Sequence, residues 1–239
     1  MIYFFDGTRD GFLTAFLAAF HDKDAVLTSK GGQLPLGLSP VTVQTDSEKA
    51  NKAAARLLCF DSECMQDLNI LLRSGEADNE QVAFLYFRLL ANAKKRIGHR
   101  LAETEVFNAV QYIRKVRFEI HRLHGFIRFM ETASGALYAP FSPDNDVCDL
   151  LAPHFKARLP EYPFVLHDVT RKKATVYDGK TVFNAYLGSA DVLLSANETE
   201  WQALWKRYYQ AVNIPSRERL KQMRGYMPVR YWKFLPEKE

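Results

Sequence analysis

The residues best equipped for chemistry lie near the end of the chain. Met223-Arg-Gly-Tyr-Met-Pro-Val-Arg-Tyr-Trp232 joins the fixed backbone of Pro228 to two guanidiniums and three aromatic rings. Arginines contact phosphates or stack, and Tyr and Trp offer faces to unstacked bases, so the run has the parts of a nucleic-acid site. The same composition describes a tail whose rings dock on a helical core while its arginines cover the rim. Both readings stand at this point. Asp168 and Arg171 fall at a turn between two expected strands, where an ion pair within the turn and a contact to a substrate or phosphate are alternatives. Arg114, Arg117, His121 and His124 are spaced three, four and three apart and share one flank of a helix. Two histidines three residues apart can hold a metal, yet no carboxylate or Cys is in register to complete the ligands, which favours a solvated or partner-facing flank. The chain has no GxSxG elbow, and Asp6-Gly-Thr-Arg-Asp-Gly11 lacks both GxGxxG and GxxxxGK[ST]. Its two aspartates would repel a phosphate.

The elements that must position these groups belong to an ordinary globular protein. The 239 residues are 47% hydrophobic, 25% charged and 13% aromatic, which excludes wholesale disorder and suggests one or two domains. The net charge of +4 names no partner, but its distribution does more. Residues 1 to 84 hold 7 basic and 12 acidic side chains, and residues 85 to 239 hold 25 and 16, so the later part is the candidate for an anionic partner. The opening Met1-Ile-Tyr-Phe-Phe-Asp6 lacks the basic region of a signal peptide, and no apolar stretch is long enough for a membrane span. A cytoplasmic protein without membrane contact is expected. Cys59, Cys64 and Cys148 lack CxxC spacing and read as reduced, mostly core thiols.

Ile2 to Phe5 reads as a strand, Asp6 to Gly11 as a turn, and Phe12, Leu13, Phe16, Leu17 and Phe20 as one helix face. Lys30 to Pro40 is a Gly- and Pro-rich loop, followed by a strand at Val41 to Val43 and a helix capped by Asp46 or Ser47. Further helices are expected at 79 to 97, ending near Gly98, and from Val106 to about Gly125. Phe126 to Met130 and Ala136 to Ala139 bracket Thr132 to Gly135 as a hairpin. A helix through Leu150, Leu151, His154 and Phe155 comes next, then a strand pair at Phe164 to Asp168 and Lys173 to Tyr177. The expected class is α+β, a helical body with a small antiparallel β-β-α-β-β sheet unit and short N-terminal strands. Ser189 to Asn213 is expected as a helix with a capping box at Asn197 and Glu200, a buried face of Trp201, Leu204, Trp205, Tyr208 and Val212, and a stop at Pro215. The expected organisation is one unit over 1 to 239, with sub-regions 1 to 125, 126 to 188 and 189 to 239.

Several blocks together resemble a bacterial family, the DUF4130 group of probable DNA metabolism proteins. They are Tyr3-Phe-Phe-Asp-Gly-Thr8 with Gly11-Phe-Leu-Thr14, Glu119-Ile-His-Arg-Leu-His-Gly-Phe-Ile-Arg-Phe129, His154-Phe-Lys-Ala-Arg158, Asp168 with Arg171, and Met227-Pro-Val-Arg-Tyr-Trp232 with Glu237. The resemblance implies a role in DNA repair or modification beside a radical-SAM helix-hairpin-helix partner, with similar domains fused to uracil-DNA-glycosylase-like proteins. It implies that iron-sulfur chemistry belongs to the partner, so neither a cofactor nor a metal is expected here. Relatives carry an Asn-containing segment before the terminal motif where Arg217-Glu-Arg-Leu-Lys221 stands here, so 216 to 222 is left out of the implied site. The candidate nucleic-acid contacts are Arg128, Arg158, Asp168, Arg171, Arg224, Arg230, Tyr231 and Trp232. The expected function is accessory, with DNA bound by the basic C-terminal part and the terminal Arg230 projecting toward an anion. One alternative is an enzyme acting on a nucleic-acid base or sugar through Asp168, Arg171 and His121 or His167. The other is a protein-interaction adaptor, marked by exposed apolar patches.

Overall fold

The computed structural model describes residues 1–30, 40–188, 192–214 and 219–238. Most of the expected Lys30 to Pro40 loop, the first residues of the expected Ser189 helix, its stop at Pro215 and part of 216 to 222 lie outside the described residues. The fold is mixed α and β, and the chain divides into two compact units, Met1–Arg117 and Phe118–Glu239.

In the first unit, β1 (Ile2–Phe4) lies between β2 (Val26–Thr28) and β3 (Pro40–Thr42), parallel to both. Thr8 caps α1 (Arg9–Ala19) by accepting from the Gly11 N–H at 2.9 Å, and Asp6 accepts from the Thr8 N–H at 2.9 Å. A Cβ at Gly11 would lie 2.0 Å from Asp6 Oδ1, so the turn needs glycine there for close approach. Asp6 also takes a hydrogen bond from Thr45, which leaves this acidic turn structural. The expected helices appear as α2 (Ser47–Leu58), capped by Asp46, and α4 (Asn79–Ala93), with α3 (Cys64–Leu72) unforeseen between them. Lys94, not Gly98, ends α4 in the left-handed conformation at φ 50°. Phe12, Phe16, Leu68, Phe84, Phe87 and Leu90 form the core with Val106 and Ile113 of α5 (Thr104–Phe126), and the unit boundary falls within α5.

The second unit holds a five-stranded sheet in the order β4 (Met130–Glu131), β5 (Leu137–Phe141), β6 (Phe164–Asp168), β7 (Lys173–Tyr177) and β8 (Val182–Tyr186). The expected antiparallel β-β-α-β-β unit is corrected here. β5 and β6 are parallel, because α6 (Cys148–Arg158) lies in the crossover between them, and only the other pairs are antiparallel. Of the residues expected as a first strand, Phe126 ends α5, 127–129 link the elements and only Met130 belongs to β4. β8 went unforeseen; the turn before it takes Gly179 at φ +96° and an Asp178 side chain bonded to the Lys180 and Thr181 N–H groups. Phe155, Phe164, Leu166, Leu151 and Ala174 fill the space between α6 and the sheet.

The last long helix, α7 (Glu198–Val212), begins after Asn197, whose side chain makes no capping bond, so the capping box does not form. α8 (Leu220–Tyr226) and two 3₁₀ turns, Val229–Phe234 and Pro236–Lys238, complete the chain. Among the described residues no helix is long and apolar enough to cross a membrane. Cut at the unit boundary, the charge asymmetry shrinks to 15 basic and 14 acidic side chains in 1–117 and 17 and 14 in 118–239.

Candidate functional site

Pro228, at φ −53°, starts the 3₁₀ turn Val229–Phe234, whose geometry turns Tyr231 inward to 2% exposure with Leu235 buried after it. The Tyr231 hydroxyl donates to Glu119 Oε1 at 2.8 Å, and Arg230 Nη2 donates to the same oxygen at 2.8 Å. The Asp144 N–H, the Asn145 N–H and the Asn145 side-chain amide complete the shell around Glu119 at 3.0, 2.8 and 2.6 Å. Burial alone would push the Glu119 carboxyl up, but these donors outweigh it and hold the group below its ordinary range. Burial, followed by the neighbouring Glu119 charge, raises the Tyr231 phenol. Arg230 also pairs with Asp144 at 2.7 Å and lies 4.8 Å over the Tyr231 ring. Arg230, expected to project toward an anion, is engaged by Glu119 and Asp144 within the chain. A buried carboxylate on α5 needs a cation, and Arg230 is it.

A second ring of contacts surrounds Glu237. Arg128 Nη2 donates to Glu237 Oε1 at 2.8 Å, Trp205 Nε1 donates to Oε2 at 2.8 Å, and the Arg128 guanidinium lies 5.2 Å from the centre of the Trp205 ring. Burial would raise the Glu237 carboxyl; its own N–H, Trp205 and Arg128 prevail and lower it. This triangle borders a cleft of about 850 Å³ whose lining includes His124, Arg128, Arg158, Trp201, Trp205 and Lys233. The face of α7 expected to be buried is open instead: Trp201 is 59% exposed, Leu204 53%, Trp205 38%, Tyr208 58% and Val212 54%. Helical periodicity identifies an apolar stripe but not what covers it.

Of the other groups read from the sequence, Asp168 and Arg171 meet the Glu119 cluster through Asp144, and the histidines lie apart. Asp168 is fully buried and accepts from the Thr170 and Arg171 N–H groups and from Arg171 Nη1 at 3.0 Å, while Arg171 also reaches the Pro143 and Asp144 carbonyls. This is the ion pair within the turn. His167 lies between the Tyr138 hydroxyl at 2.6 Å and the Leu187 carbonyl at 3.0 Å, an arrangement that places its proton on Nε2. His121 is exposed on α5. His124 stacks on His154 with ring centres 4.0 Å apart and planes 15° from parallel, and the Nε2 atom of each ring is buried without a hydrogen-bond partner among the described residues. In-plane lone pairs of stacked rings do not meet on one ion. Burial, then the neighbouring His154 and His121, lowers the His124 pKa.

Of the eight candidate contacts, Arg230 and Tyr231 close on Glu119, Arg128 on Glu237, and Asp168 on Arg171. Trp232 is half-buried, its indole N–H donating to the Met227 carbonyl at 3.2 Å. Arg158 and Arg224 are exposed. Glu119 and Glu237 stand inside the quoted motifs, but their roles as hubs are not legible there because their partners lie 25 to 112 residues away along the chain. Trp201 and Trp205 were singled out and assigned to the core.

No curated protein and no solved structure matches the chain. The family model for DUF4130, a domain of unknown function, matches residues 77–237, a range that leaves out the opening Tyr3 to Thr14 block and takes in both carboxylate hubs and the cleft. The chain belongs to the DUF4130 family.

Proposed function

We propose that this is an accessory protein of DNA metabolism that binds DNA through its C-terminal part, at the cleft bordered by α7, beside a catalytic radical-SAM partner of the kind the family resemblance implies. The observation that carries this reading is the pair Trp201 and Trp205, one turn apart and open to solvent over a cleft that also holds Arg158 and Lys233. Aromatic faces beside cations are the parts that bind nucleic-acid strands. Arg128, Arg230, Asp168 and Arg171 act in this scheme as the frame, and Arg158, Lys233 and Arg224 as the charges that meet phosphate. Anisotropy titration of a labelled oligonucleotide with the full chain tests it: the double variant Arg158→Ala, Lys233→Ala binds more weakly and with a flatter salt dependence. Binding that ignores both changes removes the cleft from the function.

The exposed Leu204, Tyr208 and Val212, which extend the same helix face, favour a second reading as a protein-interaction adaptor. Pull-down of the radical-SAM partner with Leu204→Asp and Tyr208→Asp variants separates the two, since an adaptor loses the partner and a DNA-binding protein keeps its oligonucleotide.

A further inference from the structure

We infer that the cleft receives an unstacked nucleobase, with the phosphates left at its rim. The inference rests on the DNA-binding reading above and specifies its substrate class. The cleft has too little positive charge for a polyanion: Arg128 is paired with Glu237, and the carboxylates Glu131 and Glu198 share the lining with Arg158 and Lys233. Glu198 is held there by the Glu131 N–H at 2.8 Å and by Gln202 at 2.9 Å, so it is a fixed part of the wall. A groove that tracks a backbone needs an excess of cations. A base is flat, aromatic and uncharged, and the lining suits it.

The two tryptophans have different roles. Trp205 is locked by Glu237 and has Arg128 over its ring, whereas Trp201 is 59% exposed and enters no ring stack or cation contact among the described residues. Trp201 is the free platform.

Three labelled probes of equal length, about ten nucleotides, test this on the full chain: a single strand, the same strand with its central residues abasic, and the duplex. The intact strand binds about tenfold or more tightly than the abasic one, the duplex binds as weakly as the abasic strand, and Trp201→Ala brings the intact strand to that level without shifting the melting temperature. Equal binding of intact and abasic strands, or tighter binding of duplex, overturns the inference while leaving DNA binding in place. If no probe binds, the DNA-binding reading falls with it.

Discussion

Glu119 is the residue on which the C-terminal turn depends. It sits 4% exposed with five donors around it, so each lost donor leaves charge uncompensated. Glu119→Ala removes the acceptor of the Tyr231 hydroxyl and of the Asn145 amide and leaves Arg230 paired with Asp144 alone, and thermal melts should show a loss of about 2–3 kcal/mol. Arg230→Ala costs less, about 1–3 kcal/mol, because Tyr231, the Asp144 N–H and Asn145 still hold the carboxylate. Its folded pKa lies below the ordinary glutamate value, so the stability it contributes is complete above that value and is lost as pH falls through the folded one. Glu119→Gln should flatten the acid limb of a plot of melting temperature against pH. At the cleft, Trp201→Ala should change stability by no more than about 0.5 kcal/mol, while Trp205→Ala destabilises by about 1–3 kcal/mol as Glu237 loses a donor and Arg128 its ring. Paired melts of the two variants check the difference.

At the scale of elements, the stacked His124 and His154 join α5 to α6. Two imidazolium rings 4.0 Å apart would repel, and burial already disfavours the charged form of His124. Because its folded pKa is depressed, the unfolded chain binds the extra proton first, so stability is complete above the ordinary histidine pKa and declines as pH falls through the folded value. Melting temperature should therefore drop between about pH 7 and pH 5, and His124→Phe, which keeps a ring on His154, should reduce that drop. An equal drop in the variant would show that another group titrates. This window lies above that of Glu119, so the two effects separate along one pH series.

For the molecule as a whole, charge is nearly balanced in each unit, which sets a limit on electrostatic binding. A protein with 17 basic and 14 acidic side chains in its candidate binding unit, many of them paired internally, has few cations left for a backbone. With Arg158, Lys233 and Arg224 as the phosphate contacts, the slope of log K against log salt for a single strand should be about −2.1. A slope of about −3 or steeper would require cations outside the cleft.

Local order was legible in the sequence: the strand, turn and helix at the start, α4, α5, α6 and the β6–β7 hairpin follow from apolar periodicity and from Gly, Pro and Asx punctuation, which act over a few residues. Composition alone likewise singled out the tail around Arg230 as chemically equipped, while the Trp201 helix reads from the sequence as a buried face. The tertiary structure decided what those residues touch. Whether β5 and β6 pair in parallel depends on where α6 carries the chain, whether Arg230 is free depends on Glu119, 111 residues away, and whether Trp201 is core or surface depends on whether any other element covers α7. Each is a long-range outcome in which a side chain's environment, not its type or spacing, determines its role.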